Sequence, residues 1–326
     1  MDKGVKWVET LFVICLFTLF PACHDSSKNT HDLIPVMERE IPSEIKEYAN
    51  NKDTEWMVGM WVELGNCKRL EADIANNIDS YEYHAGEISA TVIMQNCKDE
   101  EQPFRLMLLA DGVPTKFQVG KREYVSYCVN GLIGALQMDI VFLPEFINNL
   151  GRLDFLLLYD GNPASDFYMT SYQIWMEQSS EYHVEDADDA VGTTRAREKD
   201  IAYGEKYTAS LWKDKANDPT NDASSRKMTI MESEKILLTV TGEYAGRHRI
   251  VCLADERVID MENGSSNARW IDWNSDGDDV YECEGIFPLD LPESFSFYTI
   301  CTPIDEDNAF RPCMASCKIP IKIIKK

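Results

Sequence analysis

The sequence predicts an all-β chain: two β-sandwiches in tandem, related by internal duplication, behind an export signal. A repeat, a shared order of strand-like runs and a high density of turn signals point to it. Arg105 to Asp111 reads RLMLLAD, and 144 positions later Arg249 to Asp255 reads RIVCLAD. Upstream of the copies lie Glu87 to Met94 and Glu234 to Thr241, both rich in the β-branched residues that suit strands. Downstream, Val141-Phe142-Leu143-Pro144 answers Gly285-Ile286-Phe287-Pro288, and Leu153 to Tyr159 answers Phe295 to Cys301. Met169 to Met176 and Ala315 to Ile324 close the two series. Only the loops change length, and no helical period competes with the pattern.

With 326 residues and a hydrophobic fraction of 44%, each half has enough chain to bury its own core. The boundaries read as signal peptide 1–22, polar tether 23–53, first sandwich 54–178, acidic linker 179–199 and second sandwich 200–326. Net charge is −24. Such a surface repels nucleic-acid phosphates and anionic lipid heads, which excludes both as direct partners of the folded part.

At the N-terminus, Lys3 and Lys6 precede Leu11 to Phe20, an apolar run interrupted only by Thr18. The run is too short to span a bilayer and suits the hydrophobic region of a signal peptide. Phe20-Pro21-Ala22-Cys23 follows. This stretch resembles a bacterial lipoprotein signal, in which a lipobox ends in the cysteine that receives the lipid. Ala22 fits that pattern, Leu19 stands one place early, and Phe20 and Pro21 depart from it. The resemblance covers residues 1–23 alone. It implies acylation of Cys23 and a membrane partner reached through the lipid anchor, since each buried methylene adds ~0.8 kcal/mol. The polar stretch that follows reads as a tether, with Ser43 capping a short helix over Glu44 to Ala49.

The first unit opens on Trp56 to Val62, whose Trp56 and Trp61 are expected to pack the core. Lys68 to Asn77 reads as a short helix. Asp111-Gly112 and Pro114 mark a turn after the repeated strand, and Asn130-Gly131 reads as a tight hairpin. Short strands between frequent turns suggest an immunoglobulin-like sandwich architecture. Glu177 to Ala190 then carries six carboxylates and no Lys or Arg. Like charges extend such a segment, so the halves are expected to sit apart or to hinge.

In the second unit, Trp270 to Asp279 is the stretch with most chemical content. Asp272, Asn274 and Asp276, followed by Gly277, have the opening spacing of a calcium loop, with Asp278 as a further ligand. Position twelve of such a loop is Cys283 in place of the bidentate glutamate, and an acidic hairpin turn is the competing reading. Trp270 and Trp273 suggest a sugar-stacking patch instead. Residues three apart on a strand point to opposite faces, so one of the two rings would then be core.

Ten cysteines are present, of which Cys15 lies in the signal and Cys23 in the lipobox. The remaining eight divide unequally, with Cys67, Cys97 and Cys128 in the first unit and Cys252, Cys283, Cys301, Cys313 and Cys317 in the second. Either a bridge joins the units or some thiols stay free as small core residues. Cys313 and Cys317, with Cys301 or His248, would form a zinc site only if a turn brought them together. No nucleophile elbow, metalloprotease motif or phosphate loop occurs, which leaves His84 and His248 as candidate bases. The expected function is a non-catalytic, membrane-anchored, extracytoplasmic lipoprotein without a cofactor. Its tandem domains would bind an extracellular protein or glycan, or act as a spacer. The alternatives are a carbohydrate- or calcium-dependent module centred on residues 270–279, and an extracytoplasmic hydrolase using scattered acids.

Overall fold

The computed structural model describes residues 33–35, 58–73, 78–83, 86–96, 102–132, 134–144, 150–160, 167–177, 193–196, 207–212, 227–242, 245–255, 257–261, 264, 270–277, 279–304 and 311–325. The signal run, Cys23, the helix expected at 44–49, Trp56, His84, Cys97, Asp278 and the acidic stretch after Glu177, up to Gly192, lie outside them.

Every regular element in the described residues is a strand. The first unit begins with β1 (Leu33–Pro35), β2 (Val58–Leu64), β3 (Lys68–Asp73), β4 (Ile78–Glu82) and β5 (Ile88–Asn96). It continues through β6 (Gln102–Ala110), β7 (Val113–Pro114), β8 (Phe117–Val119) and β9 (Arg122–Tyr124). It ends with β10 (Ser126–Leu132), β11 (Gly134–Phe142), β12 (Arg152–Asp160) and β13 (Phe167–Glu177). The second unit starts with β14 (Thr193–Ala196), β15 (Thr208–Trp212), β16 (Met228–Met231), β17 (Ile236–Thr241) and β18 (Gly246–Ala254). After it come β19 (Arg257–Ile259), β20 (Trp270–Ser275), β21 (Asp279–Gly285), β22 (Ser294–Pro303), β23 (Met314–Ala315) and β24 (Ile319–Ile324).

Four sheets make two sandwiches. In the first unit an outer sheet, β2-β5-β11-β8-β9 with β1 beside β11, faces an inner sheet, β10-β6-β12-β13-β4-β3 with β7 beside β6. In the second, the outer sheet β14-β21-β17-β15 faces the inner sheet β16-β24-β22-β18-β19, with β20 beside β18 and β23 beside β22. Each sandwich closes over its own core, one around Val62, Leu106, Leu108, Phe117 and Phe155, the other around Leu238, Ile250, Phe297 and Cys301.

The duplication extends to the hydrogen-bond ladders. Ala110 pairs with Leu153 and Val113, and 144 positions on Ala254 pairs with Phe297 and Arg257. Met107 lies opposite Ser126, as Val251 lies opposite Trp270. Both inner sheets also carry one parallel pair, β13 with β4 and β24 with β16. The register aligns Leu153 with Phe297, two residues beyond the alignment read from the apolar runs. Both turns after the repeat are alike: Asp111 and Asp255 adopt φ of 48° and 50°, and each backbone N–H donates across to the carbonyl of Arg152 or Ser296.

Several sequence expectations are corrected. The halves do not sit apart. Met107, Leu109, Leu156 and Leu158 of the first inner sheet pack against Val251, Leu253, Tyr298 and Ile300 of the second, forming a third core. The molecule is a stack of four sheets, and the seam between β6/β12 and β18/β22 lies at its centre. Within the expected linker Thr193–Ala196 is a strand on β21, and within the expected tether Leu33–Pro35 pairs with β11. Lys68 to Asp73 is an edge strand on β4, not a helix, because pairing with a neighbour overrides local propensity. Asn130-Gly131 lies in β10, where the register shifts between Val129 and Leu132, and does not form a tight hairpin. The chain passes there from the inner to the outer sheet, so a bulge re-aims it.

Candidate functional site

Residues 270–277 and 279 are held within the second sandwich. Trp273 is 2% exposed and belongs to the second core, beside His248 at 5.3 Å. Its indole N–H donates to the buried Asp279 carboxylate, which also accepts from the Ser275 hydroxyl. The Trp273 ring is therefore not presented to a sugar, because strand alternation turns it inward. Trp270, three residues earlier, points to the opposite face, where the Arg249 guanidinium stacks on it at 5.1 Å.

The same geometry places the positions of the expected calcium loop, Asp278 excepted, which lies outside the described residues. Asp272 offers its first-position carboxylate to a protein cation: Arg249 Nε donates to Oδ1 at 2.7 Å and Nη2 to Oδ2 at 3.0 Å. Asn274 and Asp276 are exposed, Gly277 makes the turn at φ 92°, and Asp279 is turned into the protein. Among the described residues no three His, Cys, Asp or Glu side chains gather to hold a metal ion. Cys313 is buried and Cys317 exposed, on either side of β23, so this pair does not converge as a zinc site requires. His248 is fully buried with Nδ1 2.9 Å from the Gly246 carbonyl, which removes it from any surface chemistry.

Of the described cysteines, Cys252, Cys283, Cys301 and Cys313 are buried, Cys67 and Cys128 partly buried and Cys317 exposed. Cys252, Cys283 and Cys301 fill the second core, and Cys252 occupies the position that Leu108 fills in the first. Burial pushes the Cys301 thiol well up, and burial followed by the Asp154 carboxylate does the same to Cys313. Neither is an activated nucleophile.

The charged chemistry that sequence reasoning missed lies at the seam. Arg249, 1% exposed, turns its third nitrogen across the seam to donate to the Asp111 carbonyl at 2.8 Å. Arg105 donates to the Asp255 carbonyl at 3.1 Å in the opposite direction. Arg152 lies between: Nε and Nη2 each donate to the Asp154 carboxylate at 2.7 Å, and Nη1 donates to the Pro303 carbonyl at 3.0 Å. Arg152 and Asp154 stand two apart on β12 and so share a face, which was the available sequence signal. Buried forks of this kind fix geometry more than they add stability.

The largest apolar side chains left exposed lie away from the seam. On the second sandwich Met231 and Leu289 rim a small notch with Phe287, Pro288 and Ile323. Leu143 is exposed at the corresponding strand end of the first.

No family model matches the sequence, and no curated protein does. Among solved structures the chain is similar to a protein of unknown function from Porphyromonas gingivalis W83, at 10% identity and a TM-score of 0.24, over 81% of this chain and 99% of that one. It is also similar to a D1–D4 ectodomain fragment of ICAM-5, at 9% identity and a TM-score of 0.21, over 81% of this chain and 54% of that one. A third similarity is to the calcium-binding domain CBD12 of CALX1.1, at 9% identity and a TM-score of 0.19, over 70% of this chain and 80% of that one.

Proposed function

We propose that this chain is a non-catalytic surface lipoprotein, anchored through Cys23, whose fused sandwiches form a rigid module that binds or spaces an extracellular partner. One observation carries the rigid-module part: the apolar layer of the seam, in which Met107, Leu109, Val251 and Leu253 are buried between the two inner sheets. Rotation of one sandwich on the other would expose that apolar layer and strand the Arg152 and Arg249 guanidiniums. The outer sheets and the exposed strand ends are left to face other molecules. The anchor is supported by the lysines, apolar run and terminal cysteine of residues 1–23.

Detergent-phase partitioning of the wild-type chain and of Cys23→Ser, expressed in a bacterial host, tests the anchor. The expected result is wild type in the detergent phase, carrying acyl chains by mass spectrometry, and Cys23→Ser in the aqueous phase. Equal partitioning of the two would overturn it.

A further inference from the structure

We propose that β15, Thr208–Trp212, is the edge at which a second copy of this chain adds on, so that two four-stranded outer sheets join into one about a two-fold axis at Ser210. β15 stands at the end of its sheet, paired with β17, and no described strand pairs with its other side. A free strand edge offers a row of backbone N–H and C=O groups to another chain, and folded proteins blunt such edges with charge, proline, bulges or brevity. The other open edges of the described sheets are blunted in these ways. β3 carries Lys68, Arg69, Glu71 and Asp73, β14 carries Arg195, β20 carries Asp272, and β10 holds the register shift. β1, β9 and β19 have three residues each, and β7 and β23 two. β16 is uncharged but has four residues and ends in the turn where the Glu234 N–H donates to the Met231 carbonyl. β2, which holds the place of β15 in the first outer sheet, carries Glu63 and packs Trp61 against Tyr172 of the facing sheet.

β15 has five residues, TASLW, with neither charge nor proline. Ala209 and Leu211 face the second core. Trp212 lies on the other face, where its indole N–H donates to the Thr239 hydroxyl at 2.9 Å. That bond draws the ring over β17, so the largest side chain of that face does not cover the free edge. The partner follows from charge. At a net charge of −24, two copies repel, so a contact between them needs a stretch that is uncharged or that matches its own opposite. The sequence around β15 does both. Read outward from Ser210, equal steps in the two directions meet opposite charges: Lys206 and Asp214 at four residues, Glu205 and Lys215 at five. An antiparallel pair with its axis at Ser210 brings Thr208 opposite Trp212 and Ala209 opposite Leu211 of the other copy. The flanking sequence then matches plus to minus on both sides of the axis.

The test uses the whole chain with Cys23→Ser, so that no acyl chain drives association and the result does not depend on the anchor. Sedimentation velocity over a concentration series is expected to show monomer passing to dimer. Ser210→Lys, which sets like charges against each other on the axis, is expected to stay monomeric at each concentration with an unchanged Tm. Cysteine cross-linking is read with the exposed thiol removed by Cys317→Ser. There Ser210→Cys is expected to form a disulfide-linked dimer under a mild thiol oxidant, because residues directly opposite have Cβ atoms roughly 4.5–5.5 Å apart. Thr208→Cys is expected not to, because its two copies stand ~13 Å apart along the strands. A chain that stays monomeric throughout the series, a dimer that Ser210→Lys leaves intact, or linkage as ready at position 208 as at 210 would overturn the proposal. If Ser210→Lys lowers Tm, the two cysteine variants decide.

Discussion

The Arg152 and Arg249 guanidiniums each tie a carboxylate on their own sandwich to a carbonyl on the other. Removing one partner of a buried ion pair leaves an uncompensated charge, at a cost of about 3–5 kcal/mol. Arg152→Ala is therefore expected to lower stability by that amount in denaturant unfolding. Arg69→Ala is expected to cost less: its pair with Asp79 is also held by the Tyr172 hydroxyl, and the Arg69 side chain is 37% exposed. Equal losses would contradict this ordering. Burial, with the Asp79 charge second, pushes the Tyr81 phenol up to about 12 and raises Tyr172 as well. The neutral phenol is the form favoured in the folded state. The stability from Tyr81 is thus whole below the ordinary tyrosine value near 10 and is lost as pH rises through about 12. Absorbance at the tyrosinate wavelength should show phenols that titrate late, together with the loss of tertiary structure. An ordinary single titration near pH 10 would refute it. The burial of Trp273 was half legible: spacing on a strand required one of the two indoles to face inward, but not which one.

At the scale of the strand, the repeated segment reads as continuous apolar sequence because it is buried on both faces. Leu106, Leu108 and Ala110 face the first core while Met107 and Leu109 face the seam. Ile250, Cys252 and Ala254 face the second core while Val251 and Leu253 face the seam. A strand with one wet face would alternate, so the missing alternation of RLMLLAD and RIVCLAD was itself the signal that the sandwiches share a layer. Their separation was inferred instead from the acidity of the connecting stretch, which constrains that stretch and not the faces. Lys68 to Asp73 misled for a different reason: its residues are good helix formers, and only the neighbour β4 makes them a strand. The turn after β6 was legible, and its geometry yields a prediction. Gly112 adopts φ +77°, and a Cβ there would lie 3.0 Å from Arg249 Cβ and 3.1 Å from Thr302 Cβ. Gly112→Ala is expected to cost more than about 1 kcal/mol from backbone and crowding together. Unchanged stability would show that the turn is not pressed against the second sandwich.

For the whole molecule, the order of runs gave two sandwiches and their duplication, and the ladders that flank the repeated strands β6 and β18 repeat it 144 positions apart. The seam was not foreseen as a contact, because a sequence compares segments without saying which of them touch. Joined by a shared core, the halves should behave as one cooperative unit, not as beads on an acidic string. Scanning calorimetry of wild type beside Val251→Asp, which puts a charge into the seam, tests this most directly. A single wild-type transition is expected, splitting into two in the variant, with the first sandwich also melting earlier although its own core is untouched. Two separate transitions in wild type, with the first unmoved by Val251→Asp, would contradict it.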